Sequence, residues 1–211
     1  MTTVYKLTTA SFQTRNETQW GEGITLTLPR KERHLLCSKD VFHAYHNPNL
    51  AVIMDIVHAN YLPNGVLWEC NGEIVVNDGT KVGCISLTTL RQIPIPEIRI
   101  DQRIKFAIQC AKHVYKDERW NSWANDWLSG KDRSMYAAAD AAADATRATA
   151  DAAAIRTADA IRATSAAAYA ANAAADAHTA VIRAASAANA ITYAANADAD
   201  VAFIAEIAAQ L

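Results

Sequence analysis

Cys37, His43 and His46 fall within one short stretch of the chain. Thiolate and imidazole are the side chains on which zinc binding, nucleophilic attack and proton transfer all draw. Zinc requires three or four converging nitrogen or sulfur donors. The H-x2-H pair in "FHAYHNP" has no second pair at ligand spacing, and on strand-to-loop backbone the two rings diverge. A structural or ligand-contact role is expected for these histidines, and no metal. Cys37 with His34 or His43 has the composition of a thiol and its base. Such a pair works only with an accessible thiolate and a third group to orient the base, so a buried thiol is the expectation. The sequence contains no GxSxG, HExxH, P-loop or dinucleotide fingerprint. The carboxylates of the C-terminal third are interleaved with Arg147, Arg156, Arg162 and Arg183, the pattern of a solvated or partner-facing stripe. No catalytic residue and no cofactor is therefore expected.

What the residue types offer is binding. Trp20, Trp68, Tyr5 and Tyr45 carry faces on which a nucleobase stacks, and Arg15, Arg33, Lys39 and Arg91 are donors suited to phosphate. His43, Asn47, His58 and Asn60 add polar contacts. The candidate ligand site is Trp20, His43, Asn47, His58, Asn60, Trp68 and Arg91, with core packing the competing role for each ring. In "SGKDRS" a single glycine does not expose the run of N–H groups that cradles a phosphate. Gly130 as a helix stop, with Asp132 or Ser134 as the next N-cap, accounts for that stretch.

These residues need elements to hold them. "TVYKLTT" alternates like a half-buried strand, as does "GITLTLP" up to Pro29. Asn47 as N-cap and Pro48 in the first turn predict a short helix ending before Pro63. Asn71-Gly72 and Asp78-Gly79 both read as tight turns between β-branched runs, giving a meander of three or four antiparallel strands. Pro94 and Pro96 stiffen a connector. Asp101 is a plausible cap for a helix through Tyr115, and Trp120, Trp123 and Trp127 share one face of another that Gly130 ends. The Trp stripe is expected to be an interhelix contact.

Composition changes sharply near Ser134. All seven glycines, five prolines and five tryptophans precede it, and alanine, the strongest helix former, dominates the rest of the chain. Arg162, Tyr169, Asp176 and Arg183 recur every seven residues, as do Ser165, Asn172, Thr179, Ser186 and Tyr193, opposite faces of nearly pure alanine. Alanine faces let helix backbones approach closely but bury little area each. One continuous helix, needing a partner chain, and a folded-back bundle both fit. A bundle would turn near "IRTADAIRAT" or "NADAD", and the bulkier close "VAFIAEIAAQL", which reads as a docking helix, tilts the choice to it. The expected class is α+β: an antiparallel-sheet module over 1–98 with one short helix, then a helical region over 99–211. Within that region the Trp-bearing helices occupy 101–130 and the alanine-rich helices 134–211.

With 211 residues and a formal net charge of −2, no global field recruits nucleic acid or an anionic membrane. The N-terminus lacks a signal-peptide pattern, no apolar run is long enough to span a bilayer, and the four cysteines are widely spaced. A cytoplasmic protein with reduced thiols is expected.

The pieces "FHAYHNPNLAVIMDIVHANY", "LWECNGEIVVNDGTKVG", "IPIPEIRIDQRIKFAIQCAKHVY" and "WANDWLSGKDRS" running into alanine resemble a group of uncharacterised proteins common in phages and some bacteria. The likeness covers nearly the whole chain and carries no assigned chemistry. The N-terminal layout, a strand into "FHAYHNPNLAVIM" and then "LWECNGEIVV", resembles ADP-ribosyltransferase-like domains. The catalytic glutamate and serine–threonine motif of that fold are not placed here, so the likeness implies a binder of an ADP-ribose-like compound and no transferase. Together they imply a phage anti-defence protein that sequesters a nucleotide-derived immune signal, such as a cyclic ADP-ribose, in a pocket often completed by homo-oligomerisation. The alternative is a protein-binding scaffold acting through the alanine helices; a signal-degrading enzyme ranks third.

Overall fold

The computed structural model describes residues 1–154, 158–176, 179–191 and 197–211. The chain forms two compact units, the first comprising Met1–Glu97 with Val201–Gln210 and the second Ile98–Asp200 with Leu211. The class is mixed α+β, with the sheet in the N-terminal part and helices after it.

In unit 1, strand β1 (Thr2–Thr8) runs antiparallel to β6 (Val66–Asn77), and β6 to β7 (Val82–Ile93). Two short strands follow one another along the other edge of β7: β5 (Phe42–Ala44) beside Val82–Cys84, and β4 (Thr25–Thr27) beside Ser86–Thr88. Just past β5, Tyr45 exchanges both backbone hydrogen bonds with Tyr5 of β1, each 2.8 Å. The path β1–β6–β7–β5 thus returns to β1 and closes a small barrel. Three register shifts between β6 and β7 supply the bending that closure requires. A two-stranded ribbon, β2 (Gln13–Thr14) with β3 (Thr18–Gln19), flanks the barrel.

The expected meander is one long hairpin. Asp78-Gly79 turns it, the Asp78 carboxylate accepting the N–H groups of Thr80 and Lys81 at 3.0 Å each. Asn71-Gly72 instead lies mid-strand. A Cβ at Gly72 would sit 2.7 Å from Cys84 Sγ and 3.0 Å from Val4 Cγ2, so the position serves close packing of β6 against its neighbours.

The barrel interior is filled by Val4, Trp20, Trp68, Cys70, Cys84 and Leu87 among others. Helix α1 (Pro48–His58) starts as its sequence predicts, with Asn47 Oδ1 accepting the Leu50 N–H at 2.8 Å. Its end is tied by Asp55, whose carboxylate accepts the N–H groups of Tyr61 and Leu62 at 3.0 Å each.

In unit 2, the cap of α2 (Ile100–Val114) lies two residues before the expected Asp101. It is Arg99, whose N–H is accepted by Gln102 Oε1 at 3.0 Å, while Asp101 lies in the first turn and pairs with Arg99. Helix α3 (Glu118–Ser129) is capped by Asp117 and stopped by Gly130 at φ +81°, and Trp120, Trp123 and Trp127 are buried. Ser134 Oγ accepts the Ala137 N–H at the start of α4 (Met135–Ala154). Helices α5 (Ala158–Ala175) and α6 (Ala180–Ile191) come next. Helix α4 packs on α5, α5 on α6, and α2 against both α5 and α6, so the alanine segment is folded back and is not one helix. The heptad stripe is divided between α5, which ends at Ala175, and α6, which begins at Ala180. The turn expected near "IRTADAIRAT" falls partly, at 155–157, outside the described residues, as do Asn196 of "NADAD" and Tyr193.

Alanine makes the interior of this unit: Ala138, Ala142 and Ala145 in α4, Ala167 and Ala170 in α5, Ala184 and Ala188 in α6, all buried. Helix α2, packed on α5 and α6, buries its large residues Ile104, Phe106 and Ile108.

The units divide between Glu97 and Ile98, where 98/99 was expected. Part of α7 (Ala197–Ala209) also groups with unit 1, and there the Asn47 and Asn49 amides donate to the carbonyls of Ala205 (3.1 Å) and Ala208 (3.0 Å). Among the described residues, no helix is long and apolar enough to cross a membrane.

Candidate functional site

Unit 1 holds a cavity of about 590 Å³. It opens where β1, the β2–β3 ribbon, the loop before β5 and the end of α1 converge. Strand alternation places its floor. Val4, Lys6 and Thr8 share one face of β1, and all three are buried, so a lysine enters the barrel interior. Lys6 Nζ donates to the His43 carbonyl at 2.8 Å and lies 4.6 Å from the centre of the Trp20 ring. The Asp78 turn places Lys81, the second buried cation, with Nζ 3.3 Å from His58 Nε2 and 3.8 Å from the Asp78 carboxylate. At the mouth Arg15 donates to the His58 carbonyl at 3.3 Å, and Lys39 is exposed.

Four cationic side chains thus line the cavity, and none of its described lining residues is Asp or Glu. Burial lowers the Lys6 amine from 10.5 to about 8, the nearby Cys70 and Cys84 thiols opposing the shift. Burial likewise pushes both thiols up to about 12, so they stay protonated. His43 falls to about 4 through burial first and then the Lys6 charge, and His58 to about 4 through burial and Lys81. Both imidazoles are therefore neutral at physiological pH. His43 Nε2 accepts the Cys37 N–H at 3.0 Å. Lys81 can only donate, so His58 accepts at Nε2 and carries its proton on Nδ1, 3.4 Å from Tyr45 Oη. The Tyr45 phenol is held protonated by burial, and its ring stacks with His58 at 6.0 Å.

Of the seven site residues expected from sequence, the structure brings His43 and His58 to this cavity. Trp20 and Trp68 are core residues, each 1% exposed, with ring N–H groups taken by Thr14 Oγ1 (2.9 Å) and Thr8 Oγ1 (3.1 Å). Neither presents a free face for stacking. Trp20 instead acts beneath the site, carrying the Lys6 charge on its ring. Asn47 is engaged by the α1 cap and by α7. Asn60 takes a left-handed turn at φ +59° after α1, and Arg91 pairs with Glu69 at 3.0 Å on an exposed stretch of β7. Arg15, Lys39 and Tyr45 do line the cavity, while Arg33 and Tyr5 do not. Lys6, Lys81 and Tyr61 line it without having been expected there. For Lys6 the signal was its place two residues from Val4 in an inward row.

Cys37 is exposed at the cavity rim, where a buried thiol was expected. With the His43 Nε2 lone pair engaged by the Cys37 backbone, that imidazole is not free to take the thiol proton. His46 is bound through Nε2 to the Asn77 amide at 2.7 Å. Among the described residues, no group of three or more His, Cys, Asp or Glu side chains is placed to hold a metal ion.

No family model matches the chain, and a match was found neither among curated proteins nor among solved structures.

Proposed function

We propose that unit 1 binds a small phosphate-bearing ligand of nucleotide size and holds it without turnover, as a phage anti-defence protein would sequester an ADP-ribose-like immune signal. The observation that carries this reading is the charge of the cavity: Lys6, Arg15, Lys39 and Lys81 line it, with no carboxylate among the described lining residues. Its volume of about 590 Å³ suits such a ligand, small-molecule sites spanning roughly 300–1,000 Å³. Arg15 can grip a phosphate through two N–H groups, and the buried lysines act in a medium that screens their charge less than water does. The neutral imidazoles and the Tyr45 phenol supply hydrogen bonds that would orient sugar hydroxyls. Since both imidazoles already hold partners within the fold, they suit positioning better than proton transfer.

A thermal-shift screen against ADP-ribose, its cyclic isomers, cyclic dinucleotides, NAD and inorganic pyrophosphate tests the reading. At a thousandfold excess over Kd, a ligand adds about 4 kcal/mol of stability, and chromatography after heat release should recover it unchanged. Light scattering on the same samples tells whether a second copy joins on binding. Failure of every anion, pyrophosphate included, overturns the proposal and favours a protein partner engaged by the alanine helices. Recovery of an altered nucleotide would instead support an enzyme.

A further inference from the structure

Lys6 is the residue of the cavity least explained by anion binding alone. Mouth cations suffice to attract a phosphate, and Lys81 already reaches the interior beside its counter-ion Asp78. Lys6 has no such counter-ion: among the described residues no carboxylate pairs with it, and its contacts are a neutral carbonyl and an aromatic face. It is 5% exposed and sits among Trp20, Cys70 and Cys84 in a barrel that a methionine would fill with no desolvated charge. A buried amine held by neutral partners alone, with no carboxylate beside it, costs stability that a functional position accepts. What sets it apart chemically is a primary amine at the floor of a cavity, partly deprotonated near neutral pH. Relative to an ordinary surface lysine, its free-amine fraction near neutral pH is roughly three-hundredfold greater.

We propose that the cavity captures a phosphate-bearing aldehyde, such as the ring-opened form of a reducing sugar phosphate, as a reversible Schiff base on Lys6. The inference rests on the anion-binding reading above: Arg15, Lys39 and Lys81 hold the phosphate end while the carbonyl reaches the floor. The Lys6 nitrogen lone pair attacks the carbonyl carbon, forming the C–N bond as the C=O π pair moves to oxygen. A proton passes from nitrogen to that oxygen to give the carbinolamine. The hydroxyl then leaves with a proton as water while the nitrogen lone pair forms C=N. Nothing is oxidised or reduced, and addition of water returns the aldehyde intact. An ADP-ribose-like ligand with a free reducing ribose belongs to this class, whereas a cyclised isomer, whose anomeric carbon is locked, does not.

The test incubates the whole protein with pyridoxal 5′-phosphate and, separately, with ribose 5-phosphate, adds cyanoborohydride to fix any imine, and maps the adduct by peptide mass spectrometry. A single adduct that fragment ions place on Lys6 Nζ and not on the Met1 α-amine of the same peptide, suppressed by excess pyrophosphate and absent from Lys6→Arg, is the expected result. Labelling confined to Met1, labelling spread evenly over surface lysines such as Lys31 and Lys112, or no labelling overturns the proposal. The wild-type peptide map decides even if Lys6→Arg does not fold. A pyrophosphate thermal shift without a Lys6 adduct removes this inference and leaves the anion-binding reading intact; loss of both removes both.

Discussion

The cavity of unit 1 and a smaller cleft in unit 2 are built from opposite charges. The cleft, about 260 Å³, is lined by Asp126, Asp132, Asp140 and Asp144 with Arg119, Trp120 and Trp123. Most of its acid is already answered. Asp126 pairs with Lys131 at 2.9 Å, Asp144 with Arg119 at 3.3 Å and also with Arg147, and Asp132 accepts the Ser134 N–H at 2.8 Å. In the cavity, Lys6 and Arg15 meet neutral carbonyls instead. A formal net charge of −2 hides this contrast, because the sum says nothing about which charges have local partners. Uncompensated charge, more than charge itself, distinguishes a place built to receive an ion.

The two units also fill their interiors by different means, and the sharpest way to break the comparison is through the cores. Trp68→Ala empties a site where the ring is 1% exposed and should cost about 3–5 kcal/mol, read by urea unfolding as loss of unit 1 and of ligand binding together. Reversing cavity charge is next. Lys81→Glu should remove about 2–5 kcal/mol of anion affinity by calorimetry, while Asp140→Lys in the cleft leaves that affinity unchanged; equal effects would collapse the distinction. In the alanine interior the direction of harm inverts, since there is no space to empty. Ala170→Leu, at a position with no exposed surface, should overpack and cost about 1–3 kcal/mol, whereas the same change at exposed Ala202 should be close to neutral.

The smallest effect is a pH response. His43 and His58 titrate near 4 in the fold, below their ordinary value of 6.5. The unfolded chain therefore binds more protons than the native one between those values. The contribution of these two imidazoles should be complete above pH 6.5, fall as pH drops through 6.5 toward 4, and level off below about 4. Replacing His58 with Gln should flatten the slope in urea titrations run across that window.

Much of this architecture could be read along the chain. The Asn47–Pro48 start of α1, the Trp face of α3 with its Gly130 stop, and the alanine helices all express preferences contained within a few residues. Asn71-Gly72 misled because a turn-forming dipeptide was needed for its missing Cβ, a requirement set by Val4 and Cys84 on other strands. Barrel closure depends on Tyr5 meeting Tyr45, which no local pattern announces. The site was legible in part for the same reason. His43, His58, Arg15 and Lys39 have residue types that suggest ligands wherever they stand. Lys6 shares the Val4 row of β1, yet a lysine there reads as solvent-facing until the strands that bury it are in place, and Lys81 gives no local sign; the tryptophans that looked like platforms found threonine partners in the core.

The Asn47 and Asn49 bonds to Ala205 and Ala208 join the two ends of the sequence in one unit, and that has a consequence during synthesis. A ribosome releases Met1–Glu97 long before Val201–Gln210, and domains ordinarily fold as units while emerging. Here the first unit waits for its last piece until the whole of the second has been made, so the nascent barrel carries an α1 helix whose asparagine amides still face water. A product cut after Glu97 would thus keep every cavity-lining residue, all of which lie between Lys6 and Lys81, while the Asn47 and Asn49 amides lose the Ala205 and Ala208 carbonyls.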